Sequence, residues 1–338
     1  MQKKGVTLSP KEYFITALSY MALGLFSSLI IGLIFKTIGQ ELNITVLVDM
    51  GSLAMETKVW GGAIGVAIAY GLHAPPLVIF AALISGAAGA DLGGPAGSYI
   101  SALTAVEIGK LISGETKIDI IVTPFFTIFT GFMTALFVGP YINSFMTGFG
   151  NTIEWATELR PFLMGIVIAV LMGWALTAPI SSAAIAIMLG LEGIAAGAAA
   201  VGCSAQMIGF AISSYRENGV GGLFAQGIGT SMLQVANIIR KPIIILPPTI
   251  AGAVLAPLAT VVFELENNPY GAGMGTSGFV GQLMTFETMG FSWNVFFTVL
   301  MLHIIGPAII SLLLSEWFRT LGWIKHGDMK LSLHEGGK

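Results

Sequence analysis

The stretch Glu264-Leu-Glu-Asn-Asn-Pro-Tyr-Gly-Ala-Gly-Met-Gly-Thr-Ser-Gly278 is the densest polar and glycine-rich run in the sequence, and it lies between two strongly apolar segments. Besides Tyr270, its polar side chains are two carboxylates, two amides and two aliphatic hydroxyls: Glu264, Glu266, Asn267, Asn268, Thr276 and Ser277. Irregular backbone at membrane depth persists only where protein covers it or where it lines a wet cavity, because each unpaired amide in hydrocarbon costs several kcal/mol. The run is therefore our first candidate for a binding site. The alternative is an ordinary extramembrane loop with glycine turns.

Composition places the rest of the chain in a membrane. The sequence is 55% hydrophobic and 10% charged, with a mean hydropathy of +0.85, whereas soluble domains carry about 25% charged residues. A bilayer core is crossed by about 20 residues of helix, and long charge-free runs cover residues 13–35, 59–90, 120–153, 161–191, 193–215, 218–239, 242–263 and 288–315. The formal net charge of -3 is small and dispersed, which argues against a nucleic-acid partner and leaves the lipid bilayer as the environment.

These runs predict an all-α polytopic membrane protein with about ten transmembrane helices, re-entrant hairpins and a weak internal repeat. Lysines lie near both ends of the chain, and basic residues flanking spans favour the cytoplasm. We therefore expect both termini to be cytoplasmic. The domain prediction is a single unit over residues 1–338, with a cytoplasmic N-terminus at 1–12, a membrane domain at 13–318 and a cytoplasmic tail at 319–338.

A second polar, glycine-rich break occupies residues 89–98 and contains Asp91. A carboxylate in this position is either a functional group in a cavity or the N-cap of the helix that follows. His73 precedes Ala-Pro-Pro, where one span should end and another begin. Its ordinary role would be that of an interfacial residue at a helix end, and its functional role would be a proton or sugar contact.

Uncharged polar side chains recur at three- and four-residue intervals between Gly219 and Arg240. They are Gln226, Thr230, Gln234 and Asn237, and that spacing predicts one polar face of a helix. Amides and hydroxyls suit a neutral, hydroxyl-bearing solute, although hydrogen bonding between helices explains the same pattern.

The single cysteine, Cys203, cannot form a disulfide within the chain, and no metal or redox motif includes it. We expect no cofactor, no metal site and no catalytic residue on this chain.

Three motifs together resemble a known family. They are Asn267-Asn-Pro-Tyr-Gly-Ala-Gly-Met-Gly-Thr-Ser-Gly-Phe-Val-Gly-Gln282, Gly93-Gly-Pro-Ala-Gly97 and Leu176-Thr-Ala-Pro-Ile-Ser-Ser182. The chain is similar, over nearly its whole length, to the phosphotransferase-system EIIC-like permeases of the second EIIC family, which includes the perfringolysin-regulator type. The resemblance implies a homodimeric permease of the bacterial inner membrane, whose re-entrant hairpins hold a sugar. It also implies a carboxylate and a histidine near the sugar hydroxyl that receives the phosphoryl group, for which Glu264 or Glu266 and His73 are the positions that could match.

A phosphotransfer permease also needs an EIIB partner that carries a phosphorylated cysteine or histidine. Cys203 lies in an apolar segment and is not a credible carrier, so we expect either a separate cytoplasmic EIIB protein or a use of the fold without phosphotransfer.

Three functions stay open at this point. The first is an EIIC-type permease that binds and translocates a sugar or similar polar solute by alternating access. The second is an EIIC-like membrane sensor or regulator without phosphotransfer. The third is an ion-coupled secondary transporter in which carboxylates, namely Asp91, Glu264, Glu266 and Glu287, bind Na⁺ or H⁺.

Overall fold

The computed structural model describes Val6, Ser9 and residues 12–331, and it confirms the all-α prediction. In these residues every regular element is a helix, and the only extended pairing is an isolated antiparallel bridge between Gly193 and Asn267. Lys3, Lys4 and Lys11, on which the predicted orientation partly depends, lie outside the described residues.

The chain divides into two compact units, Met1–Met146 and Thr147–Lys338. Five helices run through the first unit and across its boundary: α1 (Glu12–Gln40), α2 (Thr45–Ala54), α3 (Thr57–Gly71), α4 (Pro76–Ile112) and α5 (Asp119–Thr157). The break predicted after His73 is present, since α3 ends at Gly71 and α4 begins at Pro76.

Small residues hold α3 and α4 together. A side chain at Gly65 would collide with the carbonyl of Ala82, and one at Gly86 would collide with the carbonyl of Gly61. The helices therefore approach to backbone contact, as expected for small residues at four-residue spacing. Further along, α4 has non-helical backbone at Gly93 and Gly94, with φ of 60° at Gly94. Glycine adopts that conformation without steric cost. The chain turns back on itself at this predicted glycine-rich break, because a side chain at Gly89 would collide with the carbonyl of Gly97 and one at Gly109 would lie 2.9 Å from the side chain of Val78.

The second unit is built around one small-residue helix. Its elements are α6 (Pro161–Thr177), α7 (Ser182–Met188), α8 (Gly193–Ser213), α9 (Tyr215–Phe224), α10 (Val235–Arg240), α11 (Pro242–Val262), α12 (Pro269–Ala272), α13 (Val280–Met289) and α14 (Trp293–Thr320). Nearly all residues of α8 are buried. Gly202 lies so close to Ala169 of α6 that a side chain there would meet backbone, which explains why this segment is poor in large residues.

Six helices of the described chain are long and apolar enough to cross a membrane: α1, α4, α5, α8, α11 and α14. Two shorter apolar helices, α2 and α6, accompany them. The count of ten spans, the re-entrant hairpins, the repeat and the single-domain boundaries stay predictions.

One sequence expectation is wrong. Residues 218–239 are not one helix, because a π-helical turn (Ala225–Gly229), an extended Thr230 and a 3₁₀ turn (Ser231–Gln234) separate α9 from α10.

Prolines accompany changes of helix type along α11, which passes from a 3₁₀ turn (Pro242–Ile245) to an α-helix (Leu246–Pro257). Pro247 and Pro248 lie in the first turn of its α-helical part, where the missing N–H has no helical partner, and a π-helical turn follows Pro257.

Candidate functional site

The glycine-rich run folds as irregular backbone that is covered by protein. Leu265, Asn267 and residues 275–278 are buried, so the run is not an open loop within the second unit. Asn268 begins α12, and its side-chain oxygen accepts hydrogen bonds from the backbone N–H groups of Tyr270 and Gly271 at 3.1 Å each. This N-cap satisfies donors that a helix start leaves unpaired.

The run is fixed against α7 and α8 by close backbone contacts. The hydroxyl of Ser182 donates to the carbonyl of Gly273 at 2.7 Å, and a side chain at Gly197 would collide with the carbonyl of Leu265. Gly275 has φ of 53°, and a Cβ there would lie 2.7 Å from the backbone nitrogen of Ser204. The glycines are thus required by turns and close approach.

A second irregular segment, residues 225–234, meets the glycine-rich run. The hydroxyl of Thr276 donates to the carbonyl of Gly227 at 2.5 Å, and that of Ser277 donates to the carbonyl of Gly229 at 2.8 Å. Those carbonyls are released where the helix breaks before Thr230. The two irregular segments therefore supply each other's hydrogen-bond partners inside the second unit.

The amide side chains that were predicted to share one face of a helix instead form a chain of side-chain hydrogen bonds. Gln226 donates to Ser214 at 2.9 Å, Gln234 donates to Gln226 at 2.7 Å, and Asn237 donates to Gln234 at 2.8 Å. All three amide side chains are buried. Thr230 is apart from this chain, and its hydroxyl instead accepts from the backbone N–H of Met232.

The predicted carboxylates and His73 are exposed. Asp91 lies 4.0 Å from Lys58, and its side chain is 40% exposed. Glu264 and Glu266 flank the buried Leu265, and the backbone of Glu264 is left-handed with φ of 44°. His73 is also left-handed, with φ of 53°, directly after α3.

Asn267, by contrast, is buried and used by the fold. Its amide donates to the carbonyl of Gly281 at 2.9 Å and to the hydroxyl of Thr285 at 3.0 Å. Among the predicted residues, the structure thus brings together Thr276 and Ser277 with the 225–234 segment, and it joins Gln226, Gln234 and Asn237.

A buried histidine was missed as a functional candidate by the sequence analysis. His303 in α14 and Gln282 in α13 lie 2.9 Å apart, Nδ1 to Nε2. Both side chains are buried, and neither His303 Nε2 nor Gln282 Oε1 has a hydrogen-bond partner in the described chain. Gln282 also reaches Ser204 at 3.4 Å, so the pair is near the part of α8 that contacts Gly275. A histidine inside an otherwise apolar predicted span is the signal that could have identified it.

A buried ion pair was also missed. Lys110 Nζ lies 3.0 Å from Glu107 Oε1, with side-chain exposures of 1% and 14%. Lys110 also donates to the carbonyl of Leu72, just past the end of α3, at 3.1 Å. Opposite charges three residues apart near the end of an apolar helix were the available signal.

A charged cluster lies beside the amide chain. Glu217 accepts from the backbone N–H of Gly327 at 2.9 Å and lies 3.7 Å from Arg319. Burial raises the pKa of the Glu217 carboxyl, and the Gly327 hydrogen bond and Arg319 offset part of that rise. Among the described residues, no three potential metal ligands lie together.

These features define a class: a multi-pass all-α membrane protein in which two broken, buried segments meet beside unpartnered polar side chains. The chain belongs to the phosphotransferase-system EIIC family, since the family described as "Phosphotransferase system, EIIC" matches residues 15–331. The resemblance recognised from the three sequence motifs is thereby confirmed, and the chain is a membrane permease component of sugar transport. Comparison with curated proteins and with solved structures gave no match.

Proposed function

We propose that the protein binds a sugar or similar polar solute in the second unit and moves it across the membrane by alternating access. The observation that carries this proposal is the meeting of residues 225–234 with the glycine-rich run through Thr276 and Ser277. In membrane transporters, interrupted helices are typical of substrate sites, because their free backbone groups can bind a polar ligand.

The proposed contacts are the residues predicted from the sequence, with one added pair. In the second unit they are Gln226, Gln234, Asn237, Glu264, Glu266, Asn267, Asn268, Thr276 and Ser277, together with Gln282 and His303. His73 and Asp91 belong to the first unit and stay separate predicted contacts. The added pair supports the proposal because a buried polar atom without a partner carries a desolvation cost of about 1–3 kcal/mol. A solute hydroxyl that donates to Gln282 Oε1 or pairs with His303 Nε2 would remove that cost.

Phosphorylation of the solute requires a separate EIIB protein in this proposal. Cys203 is fully buried, and its thiol donates to the carbonyl of Met172 at 3.4 Å, so it does not offer an accessible carrier. We further propose a homodimer in a bacterial inner membrane, with about ten spans, re-entrant hairpins and both termini cytoplasmic. An EIIC-like sensor would share the solute site and would differ in showing no translocation.

The test is a thermal-shift screen of the purified protein against sugars, sugar phosphates and other small metabolites. A ligand that binds only the folded state raises the melting temperature by mass action. We expect one solute to stabilise the wild type and to lose that effect in Glu264→Gln and His303→Phe. Glu287→Gln is the matched control, because Glu287 is an exposed carboxylate on α13, beyond the glycine-rich run.

Equal stabilisation of all four proteins by the same solute would place the site elsewhere and refute this assignment. Uptake into proteoliposomes, with and without an EIIB protein and a phosphoryl donor, then separates a permease from a sensor.

The ion-coupled alternative is favoured by one observation, the buried Glu107–Lys110 pair within α4. The four carboxylates first considered for this role are exposed, whereas a buried ionisable pair in a span is a candidate for ion or proton coupling. In this alternative, the double variant Glu107→Gln with Lys110→Met, which has no unpaired buried charge, abolishes the pH or Na⁺ dependence of uptake and leaves solute binding intact. Uptake by this double variant with the ion dependence of the wild type would exclude the alternative.

A further inference from the structure

Residues 327–331, called here the C-terminal segment, are bound by side chains through their main chain. Asn218 makes two of these contacts, since its Nδ2 donates to the carbonyl of Met329 at 2.9 Å and its Oδ1 accepts from the N–H of Leu331 at 2.8 Å. Gln234 donates to the same Met329 carbonyl at 3.0 Å, and Asn237 donates to the carbonyl of Lys330 at 3.0 Å. We call the side chains of Asn218, Gln234 and Asn237 the amide groove.

Side chains of the C-terminal segment alternate between buried and exposed positions. Met329 is fully buried and Leu331 is 7% exposed, whereas Lys330 between them is exposed. Met329 belongs to an apolar cluster with Phe210 and Phe318. Main-chain hydrogen bonds combined with pockets for alternate side chains are the features by which proteins bind extended peptides.

The C-terminal segment takes the remaining N–H donors of Gln234 and Asn237. A primary amide has two N–H donors. Those of Gln234 go to Gln226 and Met329, and those of Asn237 go to Gln234 and Lys330. Neither side chain therefore has a donor left for a solute hydroxyl while the C-terminal segment is bound.

We propose that the amide groove is a peptide-binding site whose resident ligand is the chain's own C-terminal segment, which competes with solute for Gln234 and Asn237. The competition rests on the proposed function, whereas the peptide-binding site does not. Departure of the segment frees one N–H donor on each of the two amides. The segment thus acts as an internal inhibitor of the amide part of the solute site.

The first test is hydrogen exchange of the full chain carrying Met329→Asp, which places a charge in the apolar cluster and leaves the groove residues unchanged. Loss of a buried methionine predicts about 10- to 100-fold faster exchange of the Gly327 and Leu331 amides. Lys330→Gln is the matched control and should exchange as the wild type does, because that side chain is exposed. Unchanged α8 protection would establish that the variant is folded. Equal exchange in Met329→Asp and wild type would overturn the proposal.

The second test adds a labelled synthetic peptide with the sequence of residues 322–331 and follows its fluorescence anisotropy. The peptide should bind the full-length Met329→Asp protein, in which the chain's own segment has left the groove. It should bind the wild type at least about 10-fold more weakly, because there the chain's own segment competes for the groove. Adding Asn218→Ala to Met329→Asp should abolish binding. Failure of the peptide to bind Met329→Asp, or equal binding with and without Asn218→Ala, would overturn the peptide site.

The third test repeats the solute screen on Met329→Asp. A solute that stabilises the wild type should bind this variant more tightly, and unchanged affinity would overturn the competition. If the exchange and peptide tests succeed while no solute affects any variant, the proposed solute site fails and the peptide site stands.

Discussion

Removing Lys110 alone should destabilise the protein strongly, and removing its partner as well should reverse most of the effect. Lys110→Met leaves the carboxylate of Glu107 buried, with its Oε2 already unpartnered, and it removes the donor to the carbonyl of Leu72. Breaking a buried pair by deleting one partner costs about 3–5 kcal/mol, because an uncompensated charge is left in a low-dielectric site. The exposures of 1% and 14% place this pair in that class.

The double variant Glu107→Gln with Lys110→Met has no buried charge. Replacing a buried ion pair with neutral groups of similar volume is often close to neutral, so we expect a free energy of unfolding within about 1–2 kcal/mol of the wild type. Asp91→Asn is the matched control. Its partner Lys58 is 4.0 Å away and both side chains are well exposed, which limits the expected effect to about 0–1 kcal/mol.

The assay is unfolding in mixed micelles by titration with SDS, followed by tryptophan fluorescence. The order of stability should be wild type and Asp91→Asn, then the double variant, then Lys110→Met. A Lys110→Met protein as stable as the wild type would show that the pair is hydrated or relaxes on mutation. A double variant no more stable than Lys110→Met would show that the lost bond to Leu72, and not the uncompensated charge, accounts for the effect.

Three further predictions concern the second unit. Gly275→Ala should lower the free energy of unfolding by about 1–3 kcal/mol, because Gly275 has a left-handed φ and contacts α8. Gly221 faces open space in α9, so Gly221→Ala should change the melting temperature little. Asn268→Ala should lower the free energy of unfolding, measured by SDS titration, by about 1 kcal/mol because the N-cap is lost, whereas Asn268→Ser should keep most of the wild-type stability. The raised pKa of Glu217 means that the folded state holds a proton more tightly than the unfolded chain. Wild-type stability from this group is therefore present at acid pH and lost as pH rises through the folded pKa. Glu217→Gln should lack that loss, and parallel melting-temperature profiles of the two proteins from acid to neutral pH would contradict this reasoning.

The sequence predicted the irregular nature of the glycine-rich run for a physical reason. Pro269, the adjacent Asn268 and closely spaced glycines make a lipid-facing helix untenable, and the structure has Asn268 as an N-cap and Gly275 in a left-handed turn. The partner of the run could not be predicted in this way. Thr276 bonds to Gly227, which lies 49 residues away in the chain, and local propensity contains no information on such a contact.

The residues of the predicted amide face show the limit of an argument from helical periodicity. Three- and four-residue spacing places side chains on one face only if the helix is continuous. Gly219 has φ of 59°, and the helix breaks again before Thr230, so the rule does not apply across residues 218–239. Gln226, Gln234 and Asn237 still lie together. They do so because each buried amide needs a hydrogen-bond partner, and not because they share one face of a helix.

Counting donors and acceptors separates polar residues that are fully hydrogen-bonded within the protein from those that still have a group able to bond to a solute. Asn267 and Gln226 have both amide N–H groups bonded within the protein, and the hydroxyls of Thr276 and Ser277 bond to backbone carbonyls. Only when such internal bonds open can these groups bind a solute, which is why Gln234 and Asn237 depend on the C-terminal segment in our proposal. Gln282 and His303 differ, since each is buried with one unpartnered atom. A buried atom without a partner is costly in the free protein and gains most when a ligand pairs with it. On this reasoning the Gln282–His303 pair should contribute more to solute affinity than any residue whose hydrogen bonds are already complete.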